Sequence, residues 1–432
     1  MDTLLRAIEK LIPKKLYRAG QPIYHWLLSF TGAIIYRFPA RKLTIIGVTG
    51  TKGKTSTTEY IASILEAAGY DTAVSNTIHF KINGDAVPNK YKMSMPGRFF
   101  MQHFLYKAVK AGCTHAVVEI TSEGAKFYRH KWIWLDAFVF TNLHPEHIES
   151  HGSFENYKNA KLSIVPNLLR KDGILLVNAN DEHAKDFRRA HNGKTISFSE
   201  KDGAPHVVNS SGVMMTYKGV RMQSPLRGTF NLYNMLAAAT ATSTIGVDAQ
   251  KIKEGIENVR EISGREQRID HGQPFDVVVD YAHTPDSLEA LYDAYKNERK
   301  ICVLGNTGGG RDTWKRPEMA KIADEHCSHI ILTNEDPYDE DPEKIIDEMK
   351  EAITKKPYEV ILDRREAITR ACEMAELGDA VLITGKGTDP YIMGPNGTKT
   401  PWSDAEVVHS VLKHLAITKH TRTQTDDQPA EQ

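Results

Sequence analysis

The sequence predicts an α/β protein of two units: a first unit with a mainly parallel sheet, then a second, doubly wound (Rossmann-like) unit. Three observations carry this expectation. The apolar run Leu43–Val48 passes through a glycine-rich turn directly into a helix-patterned segment containing Ile61, Ile64 and Leu65. From there on, short β-branched runs alternate with helical patterns, as in parallel sheets covered by helices. After Ile262-Ser263-Gly264 the alternation starts again.

In chain order, the first unit has strand candidates at Leu43–Val48, His115–Ile120, Ala137–Thr141 and Ile174–Val177, with a helical pattern over Phe154–Leu169. Residues 205–224 are short, polar and alternating, the pattern of small antiparallel strands. Helices are predicted from about Asn231 to Thr244 and from Ala249 to Asn258. In the second unit, strands are predicted at Asp276–Asp280, Ile301–Leu304, His329–Thr333, Glu359–Leu362 and Ala380–Thr384. Helices are predicted at Ser287–Asn297, Pro317–His326, Pro342–Thr354, Arg365–Glu376 and Asp404–Leu415. The expected divisions are 1–42, a short apolar helical segment; 43–262; 263–418; and a polar tail, 419–432, whose lack of apolar periodicity predicts disorder.

At 432 residues the chain is long enough for two or three domains, and 41% hydrophobic with 25% charged residues is a soluble globular composition. A formal net charge of zero gives no basic surface for nucleic acid. Cys113, Cys302, Cys327 and Cys372 are scattered without a C-x-x-C pair, which fits a reducing cytosol and gives no metal or disulfide signature. No cleavable signal peptide is evident. The segment Pro22–Phe38 is apolar but interrupted by His25, Ser29, Thr31 and Arg37, with Lys14, Lys15 and Arg18 before it and Arg41 and Lys42 after. It reads as a helix packed on the rest of the protein, or as an interfacial membrane helix.

The turn itself is Val48-Thr49-Gly50-Thr51-Lys52-Gly53-Lys54-Thr55. Strand, glycine loop and helix in succession make a P-loop, whose backbone N–H groups and helix N-terminus cradle phosphates. Lys54 would reach the β/γ-phosphates of a nucleotide and Thr55 would hold Mg²⁺. The general pattern wants glycine where this chain has Val48. Further polar clusters fall at strand ends, where open α/β sheets place ligands. Glu119 closes one strand and suits a Mg²⁺ shell. His144, Glu146, His147, Glu149 and His151 follow another, without zincin spacing. The run Gly305–Pro317 combines three consecutive glycines, Gly308 to Gly310, with Arg311, Lys315 and Arg316, and suits an anion, Arg316 being the one explained equally well as a solvated surface charge. Asp280-Tyr281-Ala282-His283-Thr284-Pro285 is a fourth cluster.

In order, these motifs resemble those of the Mur ligases, most of all the MurE type. Thr49 to Thr55 matches the family's T-G-T-x-G-K-T loop, which accounts for the displaced glycine. Thr141-Asn142-Leu143 with His147, His151 and Gly152 resembles T-N-L-x-x-D-H-L-D-x-H-G, and Tyr157 to Lys161 matches Y-x-x-A-K. Gly228-Thr229-Phe230-Asn231, Asn234 and Ala237-Ala238 match G-x-F-N-x-x-N-x-x-A-A. Gly264-Arg265, Asp280–Pro285, Gly309–Pro317, Gly385-Lys386-Gly387 and Ser403-Asp404 complete the set, over residues 43 to 415.

The resemblance implies an ATP-dependent, amide-forming ligase of cell-wall precursor synthesis, acting through an acyl phosphate. It implies that Gly50, Thr51, Lys52, Gly53, Lys54, Thr55 and Ser56 hold the triphosphate. Asn231 and Asn234 would meet adenine, and Arg265, Asp280 and His283 the other side of the nucleotide, with Asp280 suited to the ribose. Thr55 and Glu119 would bind one Mg²⁺. His147 would bind a second, with Lys161 matching the lysine that is carbamoylated in the family. Lys54, Lys161, His147, Arg311 and Lys315 are the implied catalytic set. Ser94, Thr121, Arg129, Arg311, Asp336, Tyr338, Gly385 and Asp389 are the implied contacts to an acceptor and an amino acid. Other expectations are a folylpolyglutamate-synthase-like or poly-γ-glutamate-type ligase, or a nucleotide-binding subunit without ligation. A cytoplasmic enzyme with a small-molecule or lipid-linked precursor is implied, and no nucleic acid.

This chain departs from the pattern in places. Residues 1–42 are too few for the family's N-terminal uridine-binding domain, so the acceptor is expected to be carried differently. Where diaminopimelate-adding enzymes carry D-N-P-R, this chain has Glu335-Asp336-Pro337-Tyr338, so the arginine for a distal carboxylate is a tyrosine. G-K-G-H-E reads Gly385-Lys386-Gly387-Thr388-Asp389, and E-V-S-S-H reads Glu119-Ile120-Thr121-Ser122-Glu123. Glu146 stands for the aspartate before the metal histidine, and Gln267, beside Glu266, for the acid after G-R-x.

Overall fold

The computed structural model describes residues 14–97, 99–146 and 148–426; His147 lies outside the described residues. The chain opens with helix α1 (Lys14–Ile35). Strand β1 (Thr44–Thr49) then runs into the glycine loop, and helix α2 (Lys54–Ala67) leaves it. Strands β2 (Thr72–Ser75), β3 (His79–Ile82) and β4 (Asp85–Pro88), helix α3 (Phe100–Lys110), and strand β5 (His115–Glu119) follow. Next come the short helix α4 (Ser122–Lys126), strand β6 (Leu135–Phe140), and helices α5 (Ile148–His151) and α6 (Phe154–Leu162). The predicted helix Phe154–Leu169 therefore stops early: Pro166, which lacks an N–H, restarts a separate turn at Val165–Leu168. Strands β7 (Leu169–Asn178) and β8 (Thr195–Phe198) complete an eight-stranded sheet in the order β4-β3-β2-β5-β1-β6-β7-β8. From β2 through β8 the pairs are parallel, and β3 and β4 add antiparallel at the edge.

The alternation of β1 explains why helices cover both faces. Ile46 and Val48 point into one core with Tyr60, Ile61, Ile64 and Leu65 of α2. Ile45 points into the other, with Phe104 and Leu105 of α3. A small antiparallel sheet, β9 (Val207–Asn209), β10 (Gly212–Tyr217) and β11 (Val220–Ser224), lies where short polar alternation predicts it. Helices α7 (Thr229–Thr244) and α8 (Ala249–Asn258) pack on α2, and the Asp248 carboxylate caps α8 by accepting from Gln250 N and Lys251 N.

Past a single bridge between Ile262 and Arg265, a six-stranded sheet is ordered β12-β13-β17-β14-β15-β16. Its strands are β12 (Gln267–Arg268), β13 (Asp276–Val279), β14 (Lys300–Leu304), β15 (His329–Leu332), β16 (Tyr358–Val360) and β17 (Ala380–Ile383). Only β12 is antiparallel. Helices α9 (Pro285–Ala294), α10 (Lys315–His326) and α11 (Pro342–Lys350) cover one face, and α12 (Arg364–Glu373) and α13 (Asp404–Asp426) the other.

Two expectations are corrected here. Cys302 on β14 and Cys327 just after α10 form a disulfide, with Cα atoms 6.2 Å apart. The β14–α10–β15 crossover brings them together, a pairing that no local spacing encodes. The polar stretch from residue 419 continues α13 to Asp426; it contains neither glycine nor proline to stop a helix, and residues 427–432 lie outside the described residues. Among the described residues, no helix is long and apolar enough to cross a membrane.

Candidate active site

The carboxyl ends of β1, β5 and β6 face those of β13, β14, β15 and β17 across a cleft, the crevice position expected of open parallel sheets. A cavity of about 580 Å³ fills it, lined by Thr51 to Ser56, Ser94, Thr121, Arg129, Asn231, Asn234, Arg265, Asp280 and His283. The glycine loop forms its floor. Gly50 has φ 153°, and a Cβ there would overlap Thr141 Oγ1. Gly53, at φ 79°, lets the loop turn into α2. Thr141 and Asn142 pin the loop from the end of β6: Thr141 Oγ1 donates to Lys52 O at 2.7 Å, and Lys52 N donates to Asn142 Oδ1 at 2.8 Å.

Two lysines, Lys161 buried and Lys54 half-buried, converge on one carbonyl. Lys54 Nζ donates to Gly50 O at 3.2 Å and to Thr51 O at 2.7 Å. Lys161 Nζ, from α6, donates to the same Gly50 O at 2.8 Å. Lys161 is only 2% exposed, so it is not an ordinary surface lysine of its helix. Burial first, then the neighbouring Lys54 ammonium, hold the Lys161 amine well below its ordinary value, against the Glu146 carboxylate. Burial likewise lowers Lys54, although Glu119 and Glu146 oppose it.

Thr55 Oγ1 donates to Glu119 Oε1 at 2.5 Å, and Thr77 Oγ1 donates to Glu119 Oε2 at 2.9 Å. Glu119 is fully buried and forms no ion pair among the described residues. An anionic oxygen beside a hydroxyl, kept dry and without a cation, is a donor set that fits Mg²⁺. Among the described residues no cluster of three or more His, Cys, Asp or Glu forms a cage. That agrees with an ion held by one carboxylate, a hydroxyl and phosphate oxygens.

At the other end of the loop, Asn234 Nδ2 donates to Asn231 Oδ1 at 3.0 Å, and Asn231 Nδ2 to Arg227 O at 2.8 Å. The opposite wall belongs to the second unit. The Arg265 guanidinium lies 4.3 Å from the Tyr281 ring centre and reaches Thr55 Oγ1 at 3.5 Å. Asp280 accepts from Glu266 N and Ala282 N, and burial raises its carboxyl. His283 Nε2 stands 3.0 Å from Glu146 Oε1, which also pairs with Lys52 Nζ at 3.0 Å. Burial, then the Lys52 ammonium, hold this imidazole down at about 4 despite the carboxylate. Glu146 thus joins the two walls.

Thr121 caps α4, its hydroxyl accepting from Gly124 N at 3.0 Å, and the Ser94 hydroxyl pairs with Thr77. Arg129 Nη1 donates to Met95 O at 2.9 Å, while its buried Nε has no partner. An unsatisfied guanidinium N–H beside the cavity suits a carboxylate.

The remaining predicted residues gather on the second unit, beyond the residues that line this cavity. Lys315 is buried, and burial lowers its amine against the Glu335 and Glu146 carboxylates. Arg311 lies over the Tyr338 ring at 4.9 Å. Gly385, at φ 103°, allows Glu335 to approach: a Cβ there would come within 2.2 Å of Glu335 Oε2, a buried oxygen without a partner. Asp336 Oδ1 accepts from Lys386 Nζ at 2.8 Å, and its Oδ2 from Lys92 Nζ at 2.8 Å. Lys92 also pairs with Asp389 Oδ2 at 2.8 Å. Arg316 is not a solvated charge: it is buried and paired with Glu340 and Glu348 at 2.7 and 2.8 Å. Lys92 and Thr77 are not singled out by the sequence. Lys92 stands in a polar stretch with no spacing signal, whereas Asn142 belongs to a quoted motif and was legible there.

The family model described as the Mur ligase middle domain matches residues 48–242, and the one described as the Mur ligase glutamate ligase domain matches residues 264–387. The chain is 34% identical over 381 residues to a UDP-N-acetylmuramoyl-L-alanyl-D-glutamate–2,6-diaminopimelate ligase from Bacillus cereus, covering 84% of this chain and 77% of that protein. It is 35% identical over 421 residues to a UDP-N-acetylmuramyl-tripeptide synthetase from a Roseiflexus species, covering 90% of this chain and 82% of that one. A solved structure of a UDP-N-acetylmuramoyl-L-alanyl-D-glutamate–2,6-diaminopimelate ligase superposes with a TM-score of 0.60 at 30% identity, covering 87% of this chain and 79% of the other.

Proposed function

The chain belongs to the Mur ligase family, as an ATP-dependent amide-forming ligase of MurE type, and from that premise we propose how its cleft divides the work. The observation that supports the reading best is the convergence of Lys54 and Lys161 on Gly50 O. Joining a carboxylate to the γ-phosphoryl group brings two anions together, and cations held at that point lower the barrier.

We assign the triphosphate to the loop from Gly50 to Ser56, with Lys54 at its β/γ end. Asn231 and Asn234 take the base, and Arg265, Asp280 and His283 close the nucleotide from the other side. Mg²⁺ would be held by the Thr55 hydroxyl and Glu119, and supplies charge neutralisation at the phosphoryl oxygens. A second ion would fall to His147 and to Lys161 as its carbamate; the depressed Lys161 amine suits carbon dioxide because the attacking form is neutral.

The acceptor carboxylate, gripped by Arg129 with Thr121 and Ser94 nearby, attacks the γ-phosphorus. The bond from phosphorus to the bridging oxygen breaks, ADP leaves, and an acyl phosphate remains. The amine then attacks the acyl carbon, its C–O bond to phosphate breaks, and an amide and inorganic phosphate form with loss of a proton from nitrogen. Lys315 and Arg311 bring positive charge to the departing phosphate, and closure of the two units excludes water from the acyl phosphate.

We assign the incoming amino acid to Asp336, Tyr338, Gly385 and Asp389. Relatives are named for 2,6-diaminopimelate, which carries a distal carboxylate. Here residue 338 is tyrosine where the arginine for a distal carboxylate would stand, so an amino acid without a distal carboxylate suits it better. The acceptor belongs to the peptide precursors of the cell wall; a nucleotide-linked or a lipid-linked muramyl peptide presents the same free carboxylate to Arg129. Contact with the membrane through Pro22–Phe38 is a separate proposal that does not depend on the ligase chemistry.

The test is ADP and phosphate release across a matrix of acceptors and amino acids, with the acyl phosphate trapped by hydroxylamine. Amine-independent hydroxamate formation that requires the acceptor supports the reading. Tight ATP binding without hydroxamate from any acceptor overturns it.

A further inference from the structure

Helix α1 has two unlike faces. The inner face is fixed to the first unit: Ser29 Oγ donates to Tyr128 O at 2.7 Å, and the Phe30 ring lies 5.2 Å from that of Trp132. Gly32 lets α1 approach α3 so closely that a Cβ would come within 2.8 Å of Phe99.

The outer face is apolar and exposed. Ile23, Leu27 and Ile34 are 65%, 49% and 50% exposed, with Tyr24 and Ile35 beside them. Offsets of four and eleven residues bring the three aliphatic side chains within about 40° of one another around the helix. Scattered single exposed apolar residues are ordinary, but a stripe of five on one helix is a docking surface.

Charge identifies what docks there. The whole molecule has zero formal net charge, yet no Asp or Glu occurs between Glu9 and Glu59. Lys14, Lys15, Arg18, Arg37, Arg41 and Lys42 all fall in that span. Arg37, Arg41 and Lys42 are exposed at the carboxyl end of the stripe. A second copy meeting this face on a twofold axis would bring bases against bases with no acid to answer them. An anionic lipid surface answers both properties, since acyl chains take the stripe and headgroups the bases. The helix is not long and apolar enough to cross, so it lies on the surface.

We propose that the outer face of α1 is a peripheral membrane-docking surface that selects anionic lipid. Since Tyr128, which anchors α1, precedes Arg129 in the cleft, docking holds the acceptor end of the cleft near the lipid. That last point rests on the ligase reading; the docking itself does not.

The experiment is flotation of the full-length protein with phosphatidylcholine vesicles, with and without about one third phosphatidylglycerol. Wild type is expected to float with the anionic vesicles, and to lose this with salt or without phosphatidylglycerol. The combined Ile23→Ser, Leu27→Ser, Ile34→Ser variant is expected to partition at least about tenfold less, while binding a fluorescent ATP analogue as wild type does. The ATP measurement shows that this variant is folded and separates the outcome from any failure of the ligase reading. Wild type left entirely unbound by anionic vesicles, or a variant that floats as well as wild type, overturns the proposal. So does a dimer in gel filtration that the triple variant dissolves, which would give the stripe to a second copy.

Discussion

Lys92 of the first unit and Asp336 of the second form an ion pair, Nζ to Oδ2 2.8 Å, across the mouth of the cleft. Asp389 lies at the same distance from the same ammonium, and Lys386 holds the other oxygen of Asp336. Burial works against the charge of Lys92, but the Asp389 and Asp336 carboxylates hold its ammonium above its ordinary value. Burial works against Asp336 too, yet Lys386 and Lys92 hold its carboxyl below its ordinary value. Removing Lys92 leaves two carboxylates facing one lysine. A double-mutant cycle of Lys92→Met and Asp336→Asn, read by chemical denaturation, is expected to give a coupling of about 1–3 kcal/mol. A cycle that closes to within about 0.5 kcal/mol would mean that the pair holds nothing together.

Lys54→Ala and Glu119→Ala are each expected to abolish ATP-dependent ligation. Lys54 is the loop cation, and Glu119 is the buried carboxylate paired with the Thr55 hydroxyl. Phosphate release with acceptor and amine present measures both. Turnover retained by either variant would remove that residue from the machinery.

Lys161 is expected to need carbon dioxide. Turnover should fall in bicarbonate-depleted buffer and return on adding bicarbonate, with ¹³C-bicarbonate giving a protein-bound carbamate resonance. Lys161→Ala should lose at least about a hundredfold in rate, the scale on which one electrostatic group at a transition state acts. Turnover indifferent to bicarbonate in the wild type would leave Lys161 as a plain cation.

Glu266 predicts a pH dependence of stability. Burial pushes its carboxyl up to about 7, against hydrogen bonds from Tyr295 and Arg227 N. The unfolded chain ionises this group near its ordinary value of 4.5, so between 4.5 and about 7 the folded state binds the extra proton. Stability therefore falls as pH rises through that window, by about 3 kcal/mol in all, and is flat on either side. Glu266→Gln mimics the protonated acid. Denaturation at pH 5 and pH 8 should show the variant gaining on wild type only at the higher pH; equal gains at both would mean that the proton is not involved.

Much of the fold was legible because periodicity is local. Strand β1, the loop and α2 follow from one continuous stretch, and the later strands that the sequence predicts begin within about five residues of their apolar runs, whereas it does not predict β2, β3, β4, β8 and β12. The loop, Glu119 and the Asp280–His283 cluster were legible as motifs at strand ends, and Lys161 through the Y-x-x-A-K resemblance. What the chain hides is pairing over distance. Nothing near residue 92 announces carboxylates at 336 and 389, and nothing near Cys302 announces Cys327. Arg316 looked like a surface charge because its two glutamates stand 24 and 32 residues away.

Gly53 and Asn234 touch so closely that a Cβ on Gly53 would come within 2.3 Å of Asn234 Oδ1. Asn234 also receives a hydrogen bond from Thr57 at 3.4 Å, one turn into α2. The residues proposed for the phosphates and those proposed for the base thus belong to one unit. The other unit, with Asp280, Tyr281 and His283, hangs from the bridge at Ile262. On the proposed assignment both ends of the nucleotide would be read by one side of the cleft, while Lys315 belongs to the other, and the pairs Glu146–His283 and Lys92–Asp336 tie the two sides together.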